Sequence, residues 1–166
     1  IVNHLHMPIQ AGSDAILKAM KRPYTIAEFE QKVKELRELF DNLAITTDVI
    51  VGFPGETEEL FQETIETIKR IGFSELHVFP YSVRNGTPAA RMENQVPELV
   101  KSMRVNQLLA VSEQLAKEYA SSCEGKVLQV IPEEVSHTHE GRLVGHASNY
   151  VKVEFEGTPD LIGEVV

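Results

Sequence analysis

Apolar residues recur with a helical period over much of this chain and with a period of two near its end, and that change divides it. The spacing predicts a strand over 3–9, a short helix over 13–22, a longer helix over 25–41, a strand over 44–52, a helix over 57–71 and a strand over 75–81. The second helix is the best marked. Thr25 and Glu28 have the spacing of a capping box, and Ile26, Phe29, Val33, Leu36 and Phe40 share one face. In the third, Thr57 is the N-cap, Glu58 and Glu59 suit the positive first turn, and Gly72 ends a face made of Leu60, Phe61, Ile65, Ile68 and Ile71. Two βα repeats and a further strand imply parallel pairing with right-handed crossovers. A long helix over 97–122 follows, carrying Leu99, Met103, Leu108, Val111, Leu115 and Tyr119. Beyond Gly125 short strands are expected over 127–131, 142–147 and 150–156. In the last of these Val151, Val153 and Phe155 alternate with Lys152, Glu154 and Glu156. The expected domains are therefore 1–123, an α/β unit, and 124–166, a small antiparallel β unit, with the boundary near Ser122 to Lys126.

Alternation inside the parallel strands assigns side chains to faces. Ile45, Thr47, Val49 and Val51 face one way, with Leu5, Met7, Ile9, Leu76 and Val78. Thr46, Asp48, Ile50 and Gly52 face the other, with His4, His6, Gln10, His77, Phe79 and Tyr81. A sheet sandwiched between helices would be apolar on both faces. A barrel or half-barrel around a polar ligand would look like this one. Ligands in such folds gather at the carboxyl ends of the strands, where Gln10, Asp48, Gly52, Phe53, Tyr81 and Ser82 are expected.

Asp48 is suited to accept the hydroxyls of a ribose. Gly52 and Gly55 would let a base approach the Gly-Phe-Pro-Gly turn, which Pro54 stiffens. Plainer readings stand beside these. Asp48 is equally a structural carboxylate paired with His77 or a backbone amide, the turn a simple strand-to-helix link, and Phe79 and Tyr81 core residues. His4, His6, Asp48 and His77 are alternatively the ligands of a metal-dependent barrel hydrolase. His137 and His139 lie in a polar loop and are expected to be exposed. Cys123 is a bystander at a helix end, and Glu56, Glu58, Glu59, Glu63 and Glu66 form a solvated helix face.

Composition narrows the field. With 42% hydrophobic and 25% charged residues the chain is ordinary globular sequence. No apolar run reaches the ~20 residues of a membrane helix, so no membrane partner is expected and a cytoplasmic address is the default. One cysteine excludes an internal disulfide and any all-cysteine metal site. The net charge of −9 gives no general attraction to nucleic acid, so RNA contact needs a local patch. Lys126, Arg142 and Lys152 are few for a non-catalytic RNA-binding module. Ile1 is not an initiator methionine and leads straight into a strand, which predicts a fragment.

Three stretches together resemble the radical S-adenosylmethionine methylthiotransferases: HLHMPIQAGSD from His4, TTDVIVGFPGET from Thr46 and HVFPYSVRNGTPAA from His77. LHVFPYS, from Leu76 to Ser82, is most similar to the branch acting on threonylcarbamoyladenosine beside the tRNA anticodon. The isopentenyladenosine and ribosomal-protein branches are the alternatives. Ala11 stands where the family commonly has serine, and Asn85 where proline is common.

The resemblance implies the C-terminal half of a partial (β/α)6 barrel, followed by a TRAM-like β domain, truncated or complete at Val166. It implies S-adenosylmethionine bound by Gln10 and Asp48 at the ribose and by Gly52, Phe53 and Pro54 beside the adenine. Phe79 and Tyr81 would close that side, and Ser13 joins the same set. Tetranuclear 4Fe-4S clusters, a sulfur donor and a tRNA substrate are implied for the whole enzyme. Catalytic residues are not assigned. Cluster ligation needs several cysteines, so the ligands are absent here and the fragment alone is expected to be inactive.

Overall fold

The fold was obtained as a computed structural model and is described for residues 3–166, so the first two residues of the expected 1–123 unit, Ile1 among them, lie outside it. Three parallel strands, β1 (His4–His6), β2 (Ala44–Val51) and β3 (Glu75–Pro80), pair in the order β1-β2-β3. Four helices accompany them: α1 (Asp14–Ala19), α2 (Ile26–Leu39), α3 (Glu58–Ile71) and α4 (Glu98–Ser122). Ile45, Val49 and Val51 on one face of β2 are fully buried in a core with Phe29, Phe61, Ile68, Leu108 and Leu115. Each of the larger aliphatic or aromatic side chains stabilises by about 1.5–3 kcal/mol through burial. Among the described residues no helix is long and apolar enough to cross a membrane.

The helix boundaries follow the caps. Thr25 and Glu28 make the reciprocal capping box of α2, and the Thr57 hydroxyl accepts from Leu60 N–H at 3.3 Å to start α3. Gly72 ends α3 in the left-handed region at φ 68°, where a Cβ would be strained. Phe40, expected on the buried face of α2, is the C-cap and is exposed.

Two strands differ from their expected spans. Pairing of β1 stops after His6 because Pro8 has no N–H to give. Thr47 fills the gap, its Oγ1 donating to Met7 C=O at 2.7 Å and accepting from Ile9 N–H at 2.8 Å. Pairing resumes at Gln10, whose φ of 69° breaks the simple alternation. In the second sheet, β4 (Val130–Val135), β5 (Arg142–Ala147) and β6 (Lys152–Glu156) pair antiparallel in chain order. The strand expected over 127–131 begins at Val130 and runs through Pro132, which a register shift between Pro132 and Glu134 accommodates.

The α4 expectation needs the larger correction. Leu99 and Met103 are exposed, whereas Lys101, Arg104, Leu108, Ser112 and Leu115 form the buried stripe. The 3.6-residue period is present, but the first turns present charges inward. At its far end α4 meets the second sheet: buried Asn149 donates to Tyr119 Oη at 3.1 Å and to Cys123 Sγ at 3.4 Å, and Tyr119 Oη donates to Asn42 C=O at 2.6 Å. Cys123 is thus a buried acceptor in this junction, not a bystander. Asn3 N–H also reaches Ser148 C=O at 2.9 Å.

Candidate functional site

The polar face of the parallel sheet is built by register. His6 stands opposite Thr46 and Asp48 opposite His77, so neighbouring strands deliver four polar groups to one side. Asp48 Oδ1 lies 3.3 Å from His6 Nε2 and 3.2 Å from His77 Nδ1. Thr46 Oγ1 is 2.9 Å from His6 Nδ1 and 3.0 Å from His4 Nε2. Burial, and then the neighbouring His6, lower the pKa of His4. The four-residue metal set therefore divides: His6, Asp48 and His77 bring ligand atoms within 4.8 Å of one another, while His4 turns to Thr46 and packs on Tyr150 at 4.6 Å between ring centroids.

Beyond Asp48, at the carboxyl ends of the strands, a cavity of about 640 Å³ is lined by Gln10, Asp48, Phe53, Phe79, Tyr81 and Arg84, among others. Its volume falls within the range of small-molecule sites. Phe53 and Tyr81 meet edge to face at 5.3 Å, and Phe79 is half exposed. The buried Tyr81 hydroxyl has no hydrogen-bond partner. A flat apolar wall beside one carboxylate and one carboxamide is complementary to a nucleoside.

Three of the expected contact residues lie elsewhere. Ser13 is fully buried at the start of α1, its hydroxyl unpaired. Pro54 is buried behind Phe53 in sequence and does not line the cavity. Gly52, at φ 71°, has its side-chain space filled by Lys101, whose Cγ would collide with a Cβ there. This glycine admits the stem of Lys101 rather than a base. The Lys101 ammonium then donates to Tyr81 C=O at 3.0 Å and to Glu98 at 2.7 Å.

Behind the turn sits a charge pair that the pattern of the sequence conceals. Glu56, read as part of a solvated face, is buried. Its Oε1 accepts from Gly52 N–H at 2.8 Å and from Arg104 at 2.7 Å. Arg104 also donates to Glu56 C=O at 3.1 Å and covers the Phe61 ring at 5.1 Å. Burial pushes the Glu56 carboxyl upward in pKa, opposed by the Gly52 N–H and by Arg104. Glu58, Glu59, Glu63 and Glu66 are exposed as expected. Only an acid directly after a Pro-Gly turn hinted at the role of Glu56, and Arg104 carried no signal, since a charge on a helix ordinarily faces water.

Residues 1–68 match the family model of the Radical SAM superfamily. Over 168 residues the chain is 58% identical to the threonylcarbamoyladenosine tRNA methylthiotransferase MtaB of Bacillus subtilis (strain 168), covering 100% of this chain and 37% of that protein. It is 42% identical over 166 residues to the tRNA-2-methylthio-N(6)-dimethylallyladenosine synthase of Lachnoclostridium phytofermentans, covering 100% of this chain and 36% of that one. Among solved structures, coproporphyrinogen III oxidase (HemN) from Escherichia coli, a radical SAM enzyme, shares the fold. Its TM-score is 0.58 at 20% identity, over 68% of this chain and 27% of that chain. The chain thus spans little more than a third of the length of the relatives above.

Proposed function

We propose, on the premise that this chain belongs to the radical S-adenosylmethionine methylthiotransferase family, that it supplies one side of the S-adenosylmethionine site and part of the tRNA surface of such an enzyme. The substrate of the whole protein is threonylcarbamoyladenosine in tRNA. The branch rests on 58% identity to an enzyme of that name against 42% to a dimethylallyladenosine enzyme. The site rests on one observation: Gln10, Asp48, Phe53, Phe79 and Tyr81 line a single cavity at the carboxyl ends of parallel strands.

The residues fit the cofactor. Asp48 accepts from ribose hydroxyls, Gln10 offers a carboxamide, and Phe53, Phe79 and Tyr81 give the adenine a hydrophobic wall. The unpaired Tyr81 hydroxyl is a donor awaiting an acceptor. Gly52, Pro54 and Ser13 act behind this layer, shaping the turn and the loop that carry it. When bound, S-adenosylmethionine supplies the radical precursor and the methyl group. The iron-sulfur cluster does not fit these residues, because the single cysteine is buried at the junction with the second sheet. Its ligands belong to another part of the enzyme, and residues 3–166 are accordingly inactive alone.

The antiparallel sheet within 124–166 is assigned as TRAM-like and as a contributor to RNA contact, with a cytoplasmic setting for the whole. Asp48→Ala in the full-length enzyme tests the reading. Loss of the acceptor should weaken S-adenosylmethionine binding by about 1–3 kcal/mol, read by calorimetry. Unchanged affinity would remove Asp48 from the cofactor contact.

A further inference from the structure

The geometry points to a second ligand on the polar face: a single divalent transition-metal ion of the zinc class, held by His6 Nε2, Asp48 Oδ1 and His77 Nδ1, with a fourth position open. Nothing in the S-adenosylmethionine reading requires it; the two readings share Asp48, whose Oδ1 faces the histidines, and are told apart by His6 and His77, which do not line the cofactor cavity.

The distances carry the argument. Ligand atoms about 2.0–2.1 Å from a tetrahedral zinc ion stand about 3.3–3.4 Å from one another. The two Asp48 separations are 3.3 and 3.2 Å, and all three ligand atoms lie within 4.8 Å. Elsewhere in this molecule each imidazole–carboxylate contact pairs a single histidine with its acid, His139 with Glu154 at 2.8 Å, His146 with Glu133 at 3.0 Å and His137 with Glu134 at 3.7 Å. At Asp48 two imidazoles converge on one carboxylate oxygen, and the three groups surround a point that a cation can occupy.

The surroundings agree. Thr46 Oγ1 lies 2.9 Å from His6 Nδ1, the kind of outer contact that orients a ligating imidazole and fixes which nitrogen faces the metal. Among the described residues the ion-pair partners of Asp48 are these two histidines, with no lysine or arginine competing. In the 166-residue chain, side-chain exposures of 36%, 29% and 47% for His6, Asp48 and His77 leave the fourth position open to solvent. Three protein ligands and an open site are the arrangement of a reactive zinc centre. Two nitrogens and one oxygen favour zinc, cobalt or nickel over calcium or magnesium. All three ligands stand on hydrogen-bonded strands or, for Asp48, at the centre of the sheet, so little ordering is needed on binding.

The test uses the 166-residue chain, stripped of metal and titrated with Zn2+ by calorimetry and with Co2+ by visible absorption. One equivalent of Zn2+ should bind, and cobalt should show tetrahedral bands. His6→Ala and His77→Ala should each abolish that binding, and Thr46→Val should weaken it about tenfold. A variant carrying His137→Ala, His139→Ala and His146→Ala should keep it, which separates the site from exposed histidines of the second sheet. Zn2+ should raise the Tm of the parent but not of the His6→Ala/His77→Ala double variant. Circular dichroism reports folding, and His77→Gln replaces His77→Ala if the latter unfolds. Failure of the parent to bind one equivalent, or unchanged binding in the double variant, would overturn the site. Retained S-adenosylmethionine affinity in full-length His77→Ala would leave the cofactor reading intact whatever the metal result.

Discussion

The two sheets have three strands each and bury very different things. The parallel sheet has one face under helices, where Ile45, Val49, Val51, Phe61, Ile68 and Leu108 are fully shielded. Its other face is left to Asp48, the histidines and the cavity. The antiparallel sheet buries Leu143, Val130 and Ala147 and leaves Ile131 and Val135 exposed. It gains further anchorage from Asn149, in the turn after β5, which donates to Tyr119 of α4, and from Ser148 and Tyr150 against the start of β1. The difference shows where a polar site is affordable: a face can be given to chemistry when the opposite face already supplies the apolar burial.

The comparison is broken most severely at Arg104. Arg104→Ala leaves Glu56 buried without its cation, and a loss of about 3–5 kcal/mol is expected in urea melts. A loss below about 1 kcal/mol would mean that water reaches the pair and that the turn at Gly52 has no charged support. Leu143→Ala removes the largest fully buried apolar side chain of the second sheet. It should cost about 2–5 kcal/mol, and amide exchange should rise in 130–156 before it rises in β2. Uniform exchange across both sheets would show that they unfold as one unit.

Asn149→Ala cuts the amide that joins the second sheet to α4, leaving Tyr119 and Cys123 without that donor. A loss of about 1–3 kcal/mol is expected, with β2 protection unchanged. The smallest effect is a pH effect at the same junction. Burial raises the Tyr119 hydroxyl to about 12 from its usual 10.0. A folded-state pKa above the unfolded one stabilises the fold fully below pH 10 and loses that contribution as pH rises toward 12. The melting temperature should therefore fall across that window in the parent, and less steeply in Tyr119→Phe. Identical slopes would remove Tyr119 from the junction.

Local patterning already determined the caps at Thr25, Thr57 and Gly72, the parallel pairing of the first three strands, and the placement of Asp48 and His77 on one face. These depend on neighbours within a few residues, or on a period of two that cannot slip without exposing Ile45, Val49 and Val51. The tertiary structure alone decided which polar residues are buried. Glu56 and Arg104 lie 48 residues apart, and a charge enters a core only when its partner arrives from elsewhere in the chain. The same holds for Lys101 filling the space beside Gly52, for Thr47 replacing the backbone pairing lost at Pro8, and for the separation of His4 from the other two histidines. Periodicity reports the direction in which a side chain points; what it meets there is set by packing between elements distant in sequence.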